Sequence, residues 1–202
     1  MTDTNKETDP ILIDVPMPIE TPRLTLRPAM PNDGRALYDA IEETKDDLRL
    51  WMPWINDHTD VNHTEGVCRK AYADFILRKD MMMLAFNRAG NLVGATGLHR
   101  FDWKTRRFEI GYWVRKTEQG KGYATEIANA LTRYAFNALS GNVVMIGHAE
   151  GNDASRNVIA KLGFDYEGCT RLDEKLPNGD IVDSHSYSRT NLDGLPDLKV
   201  TW

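Results

Sequence analysis

A glycine-rich segment at residues 119–124 restricts the fold of this chain more than any other feature. It reads Gln-Gly-Lys-Gly-Tyr-Ala and lies between a predicted strand at residues 108–114 and a predicted helix that continues to about residue 139. A turn of this kind leaves backbone N–H groups without partners at the start of the helix, where the helix dipole adds partial positive charge. Such a turn is suited to a phosphate or pyrophosphate group.

Two well-known phosphate-binding motifs do not fit this segment. A P-loop requires Ser or Thr directly after its Gly-Lys pair, but Gly122 follows Lys121. The dinucleotide fingerprint requires a third glycine where this chain has Thr125. On its own the segment is also compatible with an ordinary helix start, so other parts of the chain have to decide its role.

Length and composition exclude several classes of protein. The 202 residues suit one domain, and 41% hydrophobic with 27% charged residues allow a packed core. The net charge of −5 argues against a protein that mainly binds nucleic acid. We find no apolar run long enough to cross a bilayer and no signal peptide. The sequence therefore predicts a cytoplasmic protein without direct nucleic-acid or membrane binding.

The cysteines and histidines do not form a metal-binding pattern. Cys68 and Cys169 are far apart and are interpreted as reduced thiols. The five histidines are scattered, without cysteine at metal-site spacing, and are interpreted as surface or packed residues: His58, His63, His99, His148 and His185. No metal is expected.

The order of predicted elements defines one domain with two flanking segments. Residues 1–20 are interpreted as an extended arm, residues 21–190 as the domain and residues 191–202 as a peripheral tail. Within the domain we predict a strand at 23–27, helices from 32 and at 63–78, strands at 81–87, 92–101 and 107–114, a helix from 124, a strand at 143–146, a helix from 152, and strands at 164–176 and 181–189.

This order resembles the GNAT superfamily of acetyl-CoA-dependent N-acetyltransferases over about residues 21–190. Residues 109–114, Glu-Ile-Gly-Tyr-Trp-Val, are similar to the family's fourth strand, and residues 119–124 to its pyrophosphate turn. Residues 152–155 and 161–164 resemble its later helix and the exit from it. Residues 20–27 and the Trp-Met-Pro-Trp of residues 51–54 are similar to the branch that acetylates the N-termini of ribosomal proteins.

The resemblance implies a fold and a cofactor site. The fold is α/β (α+β), with a mixed, mostly antiparallel sheet of six to seven strands, splayed fourth and fifth strands, and helices on both faces. Acetyl-CoA is the implied co-substrate. Its pyrophosphate is expected on Gln119, Gly120, Lys121, Gly122, Tyr123, Ala124 and Thr125. Its pantetheine arm is expected on the backbone of Trp113, Val114 and Arg115 and on the side chains of Asn152 and Asn157.

Two residues are candidates for the chemistry. Strand alternation places Glu109 on one face with Gly111, so Glu109 is the candidate base, acting through a water on the acceptor amine. The alternative is a solvent-facing carboxylate or an ion pair with Arg100 or Arg107.

The second candidate lies in the predicted helix from residue 152. Many relatives carry a tyrosine four residues after the position of Ser155, but this chain has Ile159 there. Ser155 is therefore the candidate hydrogen-bond donor to the leaving sulfur. Asn152 is also interpreted as the N-cap of this helix, which is compatible with a cofactor contact.

The acceptor is an amine, and three interpretations of it stay open. The resemblance favours a protein N-terminus, followed by a small-molecule amine such as a drug, polyamine or amino acid. A non-catalytic acyl-CoA-binding module is the alternative from another class. Trp51 and Trp54 are expected to line the acceptor groove. Direct attack is favoured over a covalent enzyme intermediate, and either a monomer or a homodimer is expected.

Overall fold

The computed structural model describes residues 9–202, so the first eight residues of the predicted arm lie outside the described range. The strands are β1 Ile19–Glu20, β2 Leu24–Pro28, β3 Met81–Asn87, β4 Leu92–Asp102, β5 Arg107–Val114, β6 Val143–Ala149, β7 Asp165–Lys175 and β8 Ile181–Arg189. The helices are α1 Gly34–Trp51, α2 Val61–Ile76, α3 Tyr123–Asn137 and α4 Asp153–Lys161. Three short 3-10 turns are Pro10–Leu12, Pro53–Asp57 and Lys116–Glu118.

The strands form one sheet in the order β1-β2-β3-β4-β5-β6-β8-β7. The pairing of β5 with β6 is parallel and the other pairs among the described strands are antiparallel. The predicted mixed, mostly antiparallel sheet is confirmed, but it has eight strands instead of six or seven. The additional strand is β1, whose two residues are too few to show an alternating pattern.

The sheet opens between β5 and β6. Their ladder contains the pairs Arg107–Val143, Phe108–Val144 and Glu109–Met145 and then ends, although both strands continue. The predicted splay is therefore present, and it falls between the fifth and sixth strands because β1 is counted. Backbone groups beyond Glu109 on β5 are left free to bind another molecule in this gap.

Helices cover both faces of the sheet, as predicted. On one face the apolar side of α3, with Ile127 and Leu131, packs in a core cluster with Phe108 and Ile110 of β5. On the other face α1 and α2 share a second cluster with β3 and β4: Leu37, Ala40, Ile41, Cys68, Ala71, Leu84 and Ala95. The gap is therefore approached by α3 from one side and by the α1–α2 connection from the other.

Both edges of the sheet are short or irregular. Thr201, from the predicted peripheral tail, exchanges backbone hydrogen bonds of 2.7 and 3.0 Å with Glu20 of β1. At the opposite edge, the register of β7 shifts twice against β8, between Tyr166 and Gly168 and between Thr170 and Glu174. Among residues 9–202, no helix combines the length and apolar character needed to cross a membrane.

Candidate functional site

The glycine-rich turn has the backbone conformation that an anion cradle requires. Gly120 and Gly122 adopt φ angles of 72° and 81°, in the left-handed region that favours glycine. Gly122 is the N-cap of α3 and offers no side chain to its free N–H groups. The first helical bond runs from the Glu126 N–H to the Gly122 carbonyl. In the described part of the chain, the backbone N–H groups of residues 120–125 have no partner, which fits a pyrophosphate.

A buried carboxylate in α3 ties this turn to the connection between β1 and β2. Glu126 is 8% exposed and accepts hydrogen bonds from Thr21 Oγ1 at 2.6 Å and Arg23 Nε at 2.5 Å. Arg23 also donates to the Lys121 carbonyl at 2.8 Å, and its guanidinium lies 4.5 Å from the ring centre of Tyr123. The turn is therefore held in place from outside its own segment.

The two long polar side chains of the turn have protein partners. Lys121 Nζ pairs with Glu118 at 3.0 Å. Gln119 Nε2 donates to the Val114 carbonyl and to Asp47 Oδ2, each at 3.1 Å. A hydrogen bond from Lys116 lowers the pKa of Asp47, which keeps that carboxylate ionised and available to Gln119. Gln119 thus links the turn to the end of β5 and to α1.

The ladder between β4 and β5 decides which backbone groups face the gap. The Arg115 N–H donates to the Val93 carbonyl at 2.8 Å, so residues 111, 113 and 115 direct their backbone toward β4. Tyr112 and Val114 direct theirs toward the gap. Of the three residues predicted to bind pantetheine, Val114 is placed for it. The backbone groups of Trp113 and Arg115 are turned away, because neighbouring residues alternate.

Ser155 and Tyr112 form a hydroxyl pair beside the gap. The Asn152 side chain accepts the Ser155 N–H at 3.1 Å, which confirms the predicted helix cap. Ser155 Oγ lies 3.1 Å from Tyr112 Oη. Burial raises the pKa of Tyr112 to about 12, so its hydroxyl keeps its proton at neutral pH. Asn157 lies exposed on the same helix.

Glu109 lies on the opposite face and is engaged in an ion pair. Arg100 Nε donates to Glu109 Oε2 at 2.8 Å, and Arg100 Nη2 bonds the other oxygen. A Cβ added at Gly147 of β6 would lie 4.0 Å from Glu109 Oε1, so the carboxylate borders the opening between the strands. The ion-pair alternative raised from the sequence is therefore what the structure contains.

A histidine that the sequence did not single out lies on the face of Glu109. His99 of β4 is the cross-strand neighbour of Glu109, and its Nδ1 is 2.8 Å from Asp80 Oδ2. Its ring lies over Gly111, within 3.3 Å of where a Cβ would stand. The interpretation of His99 as an ordinary surface or packed residue did not foresee this pairing.

The two predicted groove tryptophans lie at the end of α1 and in the 3-10 turn that follows it. Trp51 ends α1, and its ring reaches within 3.7 Å of a Cβ position at Gly151, just after β6. Trp54, in a 3-10 turn, has its ring centre 6.4 Å from that of Trp113. The Trp51 ring therefore borders the segment just after β6, and the Trp54 ring borders β5 at Trp113.

The cysteines are unsuited to a covalent mechanism at this site. Cys68 is fully buried in the α1–α2 core, and burial raises the pKa of its thiol to about 12. Cys169 lies on β7, where its sulfur is 3.5 Å from Asp183 Oδ2. Across residues 9–202, no cluster of His, Cys, Asp and Glu is arranged to hold a metal ion.

Comparison with known proteins agrees with this geometry. The family model described as "Acetyltransferase (GNAT) domain" matches residues 23–165. The Bacillus subtilis (strain 168) protein named "Putative ribosomal N-acetyltransferase YdaF" is 34% identical over 82% of this chain and 90% of its own length. The ribosomal-protein-serine acetyltransferase of Escherichia coli (strain K12) is 26% identical over 82% of this chain and 92% of its own length.

A solved structure extends the comparison to three dimensions. It is RimL, a ribosomal L7/L12 alpha-N-protein acetyltransferase in complex with coenzyme A. It superposes with a TM-score of 0.79 at 25% identity and covers 85% of this chain and 96% of its own.

Proposed function

The chain belongs to the acetyltransferase (GNAT) domain family, and from this premise we propose that it acetylates the N-terminal α-amine of a ribosomal protein. The membership makes it an acetyl-CoA-dependent N-acetyltransferase. The acceptor is the proposed part, and the names of the relatives support it. A ribosomal acceptor also agrees with the cytoplasmic location predicted from the sequence. Because the chain belongs to a family of acetyltransferases, the alternative of a non-catalytic acyl-CoA-binding module is set aside.

The residues around the gap fit acetyl-CoA. The free N–H groups of residues 120–125 would hold its pyrophosphate. The outward-facing backbone of Val114 and Tyr112 would hold the pantetheine arm. When bound, acetyl-CoA supplies the acetyl group as a thioester. The chain's own residues position the amine and handle the protons.

An open cavity on the Glu109 face of the sheet is the observation that favours a peptide over a small amine. Beyond Glu109, on the same face of β5 and β6, lies an open cavity of about 460 Å³. Its lining includes Arg107, Met145, Glu167, Thr170 and Ser186. A small amine needs only the region beside Glu109, whereas a peptide needs room for the residues that follow its first. This cavity provides that room.

The chemistry of the nucleophile points to the same acceptor. Attack on the thioester requires a neutral amine. An α-amino group has a pKa of about 8, against about 10.4 for a lysine side chain, so far more of it is neutral near pH 7. A single proton acceptor of modest strength is then sufficient.

The acceptor is tested with peptides and small amines in one assay. The chain is incubated with acetyl-CoA and octapeptides beginning with Ser, Ala or Met, while free thiol and peptide mass are measured. The control peptides carry the same sequences with a formylated N-terminus and one internal lysine. We expect transfer to the free N-termini and none to the formylated peptides. Faster transfer to polyamines or free amino acids than to every peptide would instead make this a small-molecule enzyme.

The Ser155–Tyr112 pair is proposed to supply the hydrogen bond to the leaving sulfur. Ser155→Ala removes one hydroxyl of this pair, so we expect kcat to fall about a hundredfold. The KM for acetyl-CoA should change less than about threefold, because the turn at residues 120–125 is untouched. Ser155→Thr, which keeps a hydroxyl, should restore most of the rate. Unchanged turnover by Ser155→Ala would leave Ser155 with a purely structural role.

A further inference from the structure

The Asp80–His99 pair is placed at the acceptor side of the gap. Asp80 directly precedes β3 and His99 lies in β4, so the folding of two adjacent strands brings them together. The side chain of His99 is 31% exposed and that of Asp80 is 35% exposed. The pair is thus half-buried and still reachable by a ligand from the groove.

The hydrogen bond to Asp80 sets the tautomer of the imidazole. An ionised carboxylate only accepts hydrogen bonds, so Nδ1 of His99 is the donor in the 2.8 Å contact. The lone pair of a neutral ring is then on Nε2, which is free to accept a proton. A carboxylate that orients an imidazole in this way also stabilises the imidazolium that forms.

Two glycines make the space that the ring occupies. Gly97 and Gly111 are cross-strand neighbours in β4 and β5. A Cβ at Gly97 would lie 2.7 Å from His99 Nε2, and one at Gly111 would lie 2.9 Å from Cδ2. Any side chain at either position would displace the ring. The ring is thereby held over Gly111, two residues beyond the last β5–β6 pair at Glu109.

The neighbouring carboxylate is less available for the same role. Arg100 hydrogen-bonds both oxygens of Glu109. A proton transferred to Glu109 would have to break this ion pair, whereas Nε2 of His99 accepts one without losing the bond to Asp80.

We propose that His99, oriented by Asp80, accepts the proton that the acceptor amine loses during acetyl transfer. The inference rests on transfer to an amine and not on the identity of the acceptor. The amine nitrogen bonds to the acetyl carbon while the carbon–sulfur bond breaks. One amine proton passes to Nε2, directly or through a water, and then to solvent. The sulfur leaves with the bonding electron pair as a thiolate, which accepts a hydrogen bond from the Ser155 hydroxyl and takes up a proton from solvent.

The test compares single variants over a range of pH. His99→Gln should lower kcat at pH 7 about a hundredfold, while calorimetry shows unchanged acetyl-CoA affinity. His63→Gln, on the exposed first turn of α2, is the matched control and should behave as the unmodified chain. Asp80→Asn should lower kcat about tenfold, because the imidazole of His99 keeps its place but loses the carboxylate that orients it. Glu109→Gln should lower kcat by a smaller factor than His99→Gln does.

The pH dependence separates proton transfer from a structural role. Without the base, the amine must lose its proton to solvent, so the rate ratio of unmodified chain to His99→Gln should shrink as the pH rises past 8. The charged groups around the ring are Asp80, which is its hydrogen-bond partner, and the ion pair of Arg100 with its cross-strand neighbour Glu109; Glu174 lies near Arg100. These groups influence the proton affinity of the ring only in the unmodified chain, so the ratio is compared above pH 8, where the α-amine of the acceptor loses its own proton.

Three outcomes would overturn the proposal. One is full activity of His99→Gln. Another is a rate ratio that is constant with pH, which indicates a structural role. The third is a larger loss of kcat in Glu109→Gln than in His99→Gln, which would identify Glu109 as the proton acceptor. If His99→Gln does not fold, Asp80→Asn decides, and an unmodified pH profile in that variant overturns the proposal.

Discussion

A chain carrying Gly122→Val is expected to bind acetyl-CoA at least about a hundredfold more weakly than the unmodified chain. Gly122 has φ of 81° at the N-cap of α3. A non-glycine residue there costs about 1–2 kcal/mol, and valine is worse because its side chain is branched at Cβ. Relief of this strain turns the N–H groups of residues 120–125 away from a common point. Isothermal calorimetry with acetyl-CoA measures the loss.

The matched control for this variant is Gly90→Val. Gly90 has the same φ of 81° in the turn between β3 and β4, with open space around its Cβ position. Both variants should lose similar stability on thermal unfolding, but only Gly122→Val should lose binding. Equal acetyl-CoA affinity in the two variants would show that the turn does not bind the cofactor.

Glu126→Ala should lower the free energy of unfolding by about 2–3 kcal/mol and weaken acetyl-CoA binding as well. The substitution leaves Thr21 Oγ1 and the Arg23 guanidinium without their buried acceptor. Breaking a buried ion pair costs about 3–5 kcal/mol, and we expect less because the Arg23 side chain is 45% exposed. Arg23 would also be free to leave the Lys121 carbonyl, which loosens the turn. Urea unfolding and calorimetry measure the two effects.

The control for Glu126 is another glutamate that pairs near the same turn. Glu118→Ala removes the ion pair with Lys121, whose side chain is 51% exposed. Exposed pairs contribute about 0–1 kcal/mol, so this variant should stay close to the unmodified chain in stability. Equal stability of Glu126→Ala and Glu118→Ala would show that the buried network does not hold the turn.

Local sequence patterns were sufficient for the central part of the fold. The meander of β3, β4 and β5 was predicted within one residue at every end, because alternation and short turns are encoded in neighbouring residues. Strand β1 was missed because two residues carry no period. The glycine turn was also predicted, and its left-handed φ angles explain why glycine stands at both positions.

The side-chain pairs of the site depend on contacts that no local pattern contains. Asp80 and His99 are 19 residues apart and meet only through the register of β3 with β4. Tyr112 and Ser155 are 43 residues apart, on a strand and a helix. No local pattern shows that Tyr112 contacts Ser155. Gly97 and Gly111, glycines inside strands, were the available signal for close packing over the sheet.

The backbone directions in β5 also depend on tertiary contacts that the local sequence does not contain. The sequence predicted that residues 113–115 face the pantetheine arm, yet alternate residues of a strand direct their N–H groups to opposite neighbours. Which set faces the gap depends on the partner of each residue in β4, such as Val93 for Arg115. That register is a tertiary property.

The two boundaries of the sheet bear on how the protein behaves at high concentration. A long, flat, unpaired strand is a template on which a second chain can add and start a fibre. Here β1 has two residues with Thr201 already bonded alongside, and β7 is bent by two register shifts. Neither side offers an uninterrupted row of donors and acceptors. The protein should therefore resist strand-by-strand polymerisation in concentrated solution. Mutations that straighten β7 would create an edge on which such polymerisation could start.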